Sequence, residues 1–284
     1  MSHLTPRFRR PGLLGREFGT KAQSLDRLLD WGLPTPDFVA LSGPDIERAL
    51  ARYGIPDLTT FRSQSPCEIA PFARFLEAAE SIQLELACSL LPCLLRSSAV
   101  PLVDANLTEF PSDISGAFSS VSADTPRDVV SAIARVVYSA YAVTPPLEGP
   151  WIESMGVVAQ TYTEPIISGL AHSGETWTSV VWIEGHLEKI VSGESRGHQF
   201  ATRLDMRLGP IVRGLDTDFS SLSQAQQLRT SEVLIRTCAL LRQELDMEVE
   251  IEWLDDGRVT WIVQFQPLLG ADSPAATSRR DEAW

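Results

Sequence analysis

Between Glu248 and Phe265 the chain reads Glu-Val-Glu-Ile-Glu-Trp-Leu, then Asp255-Asp256-Gly257, then Arg-Val-Thr-Trp-Ile-Val-Gln-Phe. Apolar residues recur with period two on both sides of an Asp-Gly turn, the pattern of a β-hairpin that buries one face. With Asp255–Gly257 as the loop, Leu254 would face Arg258, and Glu252, Glu250 and Glu248 would lie opposite Thr260, Ile262 and Gln264. The apolar face then carries Val249, Ile251, Trp253, Val259, Trp261, Val263 and Phe265; the polar face carries the three glutamates with Gln264 and Gln266. Three carboxylates spaced by two repel one another unless water or a cation screens them. Periodicity leaves two readings open: a solvated outer face, or a divalent-cation site with Glu250 and Glu252 as hard oxygen ligands.

Upstream of this hairpin the periods change. Ala22, Leu25, Leu28 and Leu29 predict a helix over 21–31, ended by Gly32 and the Pro34/Pro36 pair. Residues 71–91 predict one long helix, 125–141 another with Pro126 in its first turn, and 223–245 a third. Short β-branched runs at 155–160, 166–171 and 179–183 predict strands. A helix-rich first half and a strand-rich second half together predict an α+β chain with two lobes. The tail from Ala271 is small and polar and predicts no packed structure.

The net charge of -13 removes nucleic acid as a partner, because such a surface needs a basic face. It leaves room for a nucleotide, whose phosphates need only a few local cations and whose magnesium accepts carboxylates. No apolar run of membrane-spanning length exists, and none follows Arg7, Arg9 and Arg10, so we expect a cytoplasmic chain with no membrane partner. Cys67, Cys88, Cys93 and Cys238 lack CxxC spacing, which favours reduced thiols over zinc or a disulfide framework. His3, His172, His186 and His198 share no metal-ligand spacing with one another, and no GxSxG, GxGxxG or GxxxxGK[ST] motif occurs. Among 24 basic residues only Lys21 and Lys189 are lysine. An ammonium is a compact point charge, so a lysine retained in an arginine-rich chain flags a place where a planar fork does not serve. Arg96, at the end of the apolar Leu94-Leu95 run, reads either as a surface charge or as a phosphate fork, and Gly116 within 113–119 either as a phosphate cradle or as a turn.

These segments occur in one order, and the order resembles a known family. Gly19-Thr20-Lys21-Ala22 with Leu25, followed by Gly32-Leu33-Pro34-Thr35-Pro36-Asp37-Phe38, is similar to the GGKAxxL…GxPVPxGF opening of the nucleotide domain in pyruvate phosphate dikinases and phosphoenolpyruvate synthases. Arg96-Ser97-Ser98-Ala99 matches that family's RSSA strand, and Ser115-Gly116 falls at its phosphate loop. Residues 155–160 resemble MAVVVQ, Ser168-Gly169-Leu170 resembles SGV, and 185–193 resemble GLGE…VSG. Ile251-Glu252-Trp253 and Val263-Gln264 resemble the closing IEW…LQ hairpin, so the likeness runs from about Gly15 to Pro267.

The resemblance implies an α+β, two-lobed ATP-grasp fold with the nucleotide between lobes and a C-terminal β-hairpin. An N-terminal lobe would span 12–158 and a C-terminal lobe 159–269, with flexible tails at 1–11 and 270–284. It places Lys21 and Arg96 on the phosphates of ATP, with Gly116 in the phosphate loop. Gln160 and Tyr162 fall at the adenine-side hinge, Glu252 and Gln264 at magnesium and phosphate, and Glu250 where the family has an aspartate. It further implies an ATP-dependent phosphotransferase acting on a small-molecule acceptor or on a separate phosphohistidine carrier protein, with ATP and Mg2+ as cofactors. The alternatives are an ATP-grasp ligase that activates a carboxylate as an acyl phosphate, and a non-catalytic nucleotide-binding subunit. The last is motivated by departures: Gln266 stands where the family has a phosphate-facing arginine, Thr20 replaces a glycine, and SGVxFTxDP becomes Ser-Gly-Leu-Ala-His-Ser-Gly over 168–174. The family's phosphohistidine domain and phosphoenolpyruvate barrel have no counterpart in this sequence.

Overall fold

A computed structural model describes residues 14–63, 68–82, 85–101, 120–142, 152–174, 177–191, 193–195, 197–203 and 222–268. Chain contacts divide it into two compact units, one of residues Met1–Asp30 and Pro36–Tyr162, the other of Trp31–Thr35 and Thr163–Trp284. The tails, the 113–119 segment with Gly116, and Cys67 lie outside the described residues.

The first unit begins with a 3-10 turn, Arg16–Phe18, and α1, Gly19–Asp30. Next come β1 (Phe38–Leu41), α2 (Gly43–Arg52), α3 (Leu58–Ser63), α4 (Phe72–Glu80) and α5 (Glu85–Ser89). β2 (Cys93–Pro101), β3 (Ser120–Ala123), α6 (Pro126–Ala142) and β4 (Ile152–Thr161) complete it. The strands form an antiparallel sheet in the order β1-β4-β2-β3. Pleat alternation sends Cys93, Leu95, Val157 and Ala159 to one face, where Ile46, Leu50, Phe75, Ile133 and Val137 of α2, α4 and α6 bury them. Side chains of this size contribute about 1.5–3 kcal/mol each when removed from water, which makes this the unit's main cohesion. α6 starts at a capping box: the Thr125 N–H donates to Asp128 Oδ2 (3.0 Å) and the Asp128 N–H to Thr125 Oγ1 (3.3 Å).

The single helix expected over 71–91 is instead two. Ser81 ends α4 because its hydroxyl and its N–H both donate to the Ala78 carbonyl, and the Ile82 N–H turns back to Ala79, closing the last turn at i−3.

The second unit contains β5 (Ile167–Ser173), β6 (Trp177–Glu184), α7 (Glu188–Val191), β7 (His198–Arg203), α8 (Gln224–Leu245), β8 (Val249–Asp255) and β9 (Thr260–Pro267). Its antiparallel sheet runs β7-β6-β5-β8-β9. One face buries Ala171, Val180, Ile251 and Trp253 with Leu234, Cys238 and Leu241 of α8. Ser223 and Gln226 form the capping box of α8. Among the described residues no helix is long and apolar enough to cross a membrane. The described thiols Cys88, Cys93 and Cys238 are free, and burial pushes Cys93 up to about 11 and Cys238 up to about 12.

The hairpin forms as expected, but its register does not. Asp255 pairs with Thr260, Leu254 with Trp261 and Trp253 with Ile262; a bulge then brings Glu252 opposite Gln264 and Glu250 opposite Gln266. The inward face differs from expectation only between the loop and the bulge; beyond it Phe265 pairs with Ile251 and is buried as expected. Thr260 and Ile262 are buried, while Val259, Trp261 and Val263 are only half-buried. Asp255 belongs to the strand rather than the loop and is fully buried. Its carboxylate accepts from Arg229 Nη2 at both oxygens (2.9 and 2.7 Å), and from Thr230 Oγ1 (2.8 Å), Thr260 Oγ1 (2.6 Å) and the Gly257 N–H (2.7 Å). That saturation offsets the cost of burying so polar a group, and it joins α8 to the hairpin.

Candidate functional site

In the first unit three separated motifs meet around Ser98. Ser98 on β2 donates to the Phe18 carbonyl (2.7 Å) and accepts from the Ala22 N–H (3.1 Å), so it occupies one of the otherwise unbonded donors at the start of α1. The approach is possible because residue 19 is glycine: its φ is +81°, and a Cβ there would lie 2.1 Å from the Ser98 carbonyl oxygen. Gly156 on β4 pairs with Ser98, and a Cβ on it would lie 2.8 Å from the Phe18 carbonyl. Gly-Thr-Lys-Ala, Arg-Ser-Ser-Ala and the 155–160 strand thus form one junction.

Lys21 sits half-buried in the first turn of α1. Arg96 is two residues from Ser98 on β2, on the same face of the sheet, and is 9% exposed. Gln160 lies on adjacent β4, opposite Leu94, and this register puts it on the Arg96 face. It is 3% exposed, and its amide donor Nε2 has no hydrogen-bond partner among the described residues. A buried donor without a partner costs about 1–3 kcal/mol, so this amide calls for an acceptor beyond the described residues. Tyr162 follows β4, half-buried, its N–H donating to the Pro92 carbonyl (2.9 Å).

In the second unit Glu252 and Gln264 stand directly opposite one another, half-buried and buried respectively. The next row of the same face holds Ser179, His172, Glu250 and Gln266, register partners across β6, β5, β8 and β9. His172 Nε2 lies 2.6 Å from Glu250 Oε2, Gln266 Nε2 donates to Glu250 Oε1 (2.8 Å), and Ser179 Oγ is 3.4 Å from His172 Nδ1. Scattered in sequence, His172 shares no linear spacing with a carboxylate. It becomes Glu250's neighbour only through the pairing of β5 with β8, 78 residues apart in the chain. Carboxylate and amide oxygens at 252 and 264 are hard donors that suit magnesium. Among the described residues no group of three or more His, Cys, Asp or Glu is arranged to hold a metal. Two oxygen donors make only a partial shell, and a magnesium held there would take its remaining ligands from phosphate or water.

No family model matches the chain, and no curated protein matches its sequence. Among solved structures it is similar to a D-alanine–D-alanine ligase from Helicobacter pylori, with 11% identity and a TM-score of 0.42 over 94% of this chain and 61% of that one. PH1788 from Pyrococcus horikoshii Ot3 gives 11% identity and 0.38 over 87% and 97%. A D-alanine–D-alanine ligase from Bacillus anthracis complexed with ATP gives 10% and 0.38 over 90% and 61%. The chain spans about three fifths of the length of these ligases. At TM-scores of 0.38 to 0.42 the likenesses carry no assignment of fold or chemistry.

Proposed function

We propose that the protein is an ATP-grasp-type, ATP-dependent enzyme that moves a phosphoryl group to an acceptor. The observation that carries the reading is the buried Gln160 amide, without a partner among the described residues, on the sheet face that also holds Arg96, beside the junction that anchors the Lys21 helix. An amide, a guanidinium and an ammonium are the donors that a nucleotide's base and phosphates require. Lys21 and Arg96 neutralise phosphate charge, and Gln160 and Tyr162 serve the base. Within the second unit Glu252 and Gln264 offer oxygen donors of the kind that magnesium takes, and magnesium when bound to a nucleotide supplies neutralisation of phosphate charge.

A small metabolite or a phosphohistidine carrier as acceptor makes the enzyme a phosphotransferase. A carboxylate acceptor makes it a ligase working through an acyl phosphate. The two versions share every one of these residue roles and differ in product.

Calorimetry with ATP and magnesium, together with resolution of all nucleotide products over a panel of acceptors, tests the reading. Wild type binds magnesium–ATP; Gln160→Leu weakens it by about tenfold, the value of one hydrogen bond. Lys21→Arg keeps most of the affinity but turns over about a hundredfold more slowly, because a fork displaces the reacting phosphate by about 1 Å. No response to any purine nucleotide at millimolar concentration sinks the proposal, and Lys21→Arg turning over at the wild-type rate removes the specific role of the ammonium.

A further inference from the structure

Neighbouring strands of the second unit carry a hydroxyl, an imidazole and a carboxylate side by side. Register pairs Ser179 of β6 with His172 of β5, His172 with Glu250 of β8, and Glu250 with Gln266 of β9. The row is tight at one end and slack at the other. His172 Nε2 lies 2.6 Å from Glu250 Oε2, and Gln266 Nε2 donates to Glu250 Oε1 at 2.8 Å. Ser179 Oγ stands 3.4 Å from His172 Nδ1, outside the span of about 2.7–3.2 Å that a well-made bond occupies. A carboxylate accepts, so Nε2 carries the proton of the neutral ring and Nδ1 turns its lone pair to the serine hydroxyl. A row that served packing alone gains by closing every bond, and the one left open here lies between hydroxyl and base. That is the relation of a nucleophile to a base oriented by a third group, and such bonds tighten once substrate is bound. Ser179 is 6% exposed and the side chains of His172 and Glu250 are 14% and 19% exposed, so little water competes for the hydroxyl.

The strand also narrows the chemistry. At Ser179 β6 is paired on both sides, with His172 and with Ala201, so the sheet ladder takes the backbone N–H groups that would otherwise cradle a carbonyl oxyanion. Phosphoryl transfer suits such a hydroxyl better, because phosphoryl oxygens are neutralised by cations. From this geometry we infer that Ser179 is a self-phosphorylation site, with His172 as its general base and Glu250 and Gln266 as positioning residues. The group taken is the terminal phosphoryl of a nucleoside triphosphate, so the inference rests on the proposed function and names an acceptor within the chain itself. Ser179 Oγ bonds to the terminal phosphorus while the bond from that phosphorus to its bridging oxygen breaks, and ADP leaves with the electron pair. The hydroxyl proton passes to His172 Nδ1, and the imidazolium so formed keeps its Nε2–H on Glu250, whose charge stabilises it. Gln266 holds the carboxylate turned toward the ring. Phosphoserine and ADP are the products, and the ring returns its proton to water.

The test incubates the full chain with γ-labelled ATP and magnesium and locates covalent label by tandem mass spectrometry of its peptides. Wild type takes up an acid-stable phosphate at Ser179. Ser179→Ala loses it, and Ser179→Thr recovers it as phosphothreonine. His172→Gln labels about a hundredfold more slowly, the size of a general base's contribution. Glu250→Gln slows labelling by about tenfold or more while the ATP concentration giving half the maximal rate stays the same, a split that lost binding does not produce. Without nucleotide, proton NMR of the wild type shows a slowly exchanging imidazole N–H, which Glu250→Ala removes. Label only at other residues, an acid-labile label on His172 in place of Ser179, or no protected imidazole N–H overturns this inference alone. So does a wild type that binds magnesium–ATP and stays unlabelled. Failure of the wild type to bind magnesium–ATP at all overturns both it and the proposed function.

Discussion

Gly19, Ser98 and Gly156 meet in the first unit because none of them carries a side chain large enough to hold the others apart. The polar rows of the second unit are assembled by the opposite means. There, long side chains on three strands reach sideways and bond one another, and at the hairpin's closed end Asp255 collects Arg229, Thr230, Thr260 and the Gly257 N–H. One junction is made by shape and the other by charge. The first tolerates no added atom; the second tolerates no lost partner.

The comparison breaks most visibly at Asp255. Asp255→Ala leaves Arg229, Thr230 and Thr260 without their shared acceptor and is expected to cost about 3 kcal/mol, since removing one member of a buried pair strands the other. Denaturant unfolding measures this, and a loss within the range of ordinary surface substitutions means that the network contributes little. Gly19→Ala tests shape in the same assay. A methyl 2.1 Å from the Ser98 carbonyl, on a residue with φ of +81°, is expected to cost about 2 kcal/mol, with Ser98→Ala nearer 1 kcal/mol for its two lost bonds. If Ser98→Ala proves worse than Gly19→Ala, hydrogen bonding and not close approach makes the junction.

A smaller effect comes from a charge placed within the apolar unit. Burial pushes the Glu47 carboxyl of α2 up to about 7, against the pull of a Leu58 N–H bond and with help from Asp57 and Glu153. The folded chain therefore holds this proton more tightly than the unfolded one. By linkage, the group's contribution makes stability fall as pH rises from about 4.5 to about 7, then level off. Glu47→Gln is expected to flatten that slope; an unchanged pH profile of the unfolding midpoint would falsify the assignment.

How far the fold is legible in the chain follows from the range of each cause. Helix starts at Thr125 and Ser223 are legible because a cap and its partner lie three residues apart. The break at Ser81 is local too, but a serine in a run of good helix formers carries no mark of which carbonyl its hydroxyl will choose. The hairpin's existence was written in its alternation; its bulge was not, because inserting one residue changes no local preference and is decided by which side chains the α8 side must bury.

For the candidate site the division is the same. Residue order alone is enough to mark the segments of Lys21 and Arg96, and to put Glu250 and Glu252 on one strand face, since residues two apart in a strand always share one. It took the folded chain to bring Gln160 to the face of Arg96, to fasten strand to helix through Ser98, and to close His172 on Glu250. Those contacts span some 60 to 80 residues. Their distance is set by strand order and register, which depend on burying whole faces at once, and no short stretch of sequence contains that sum.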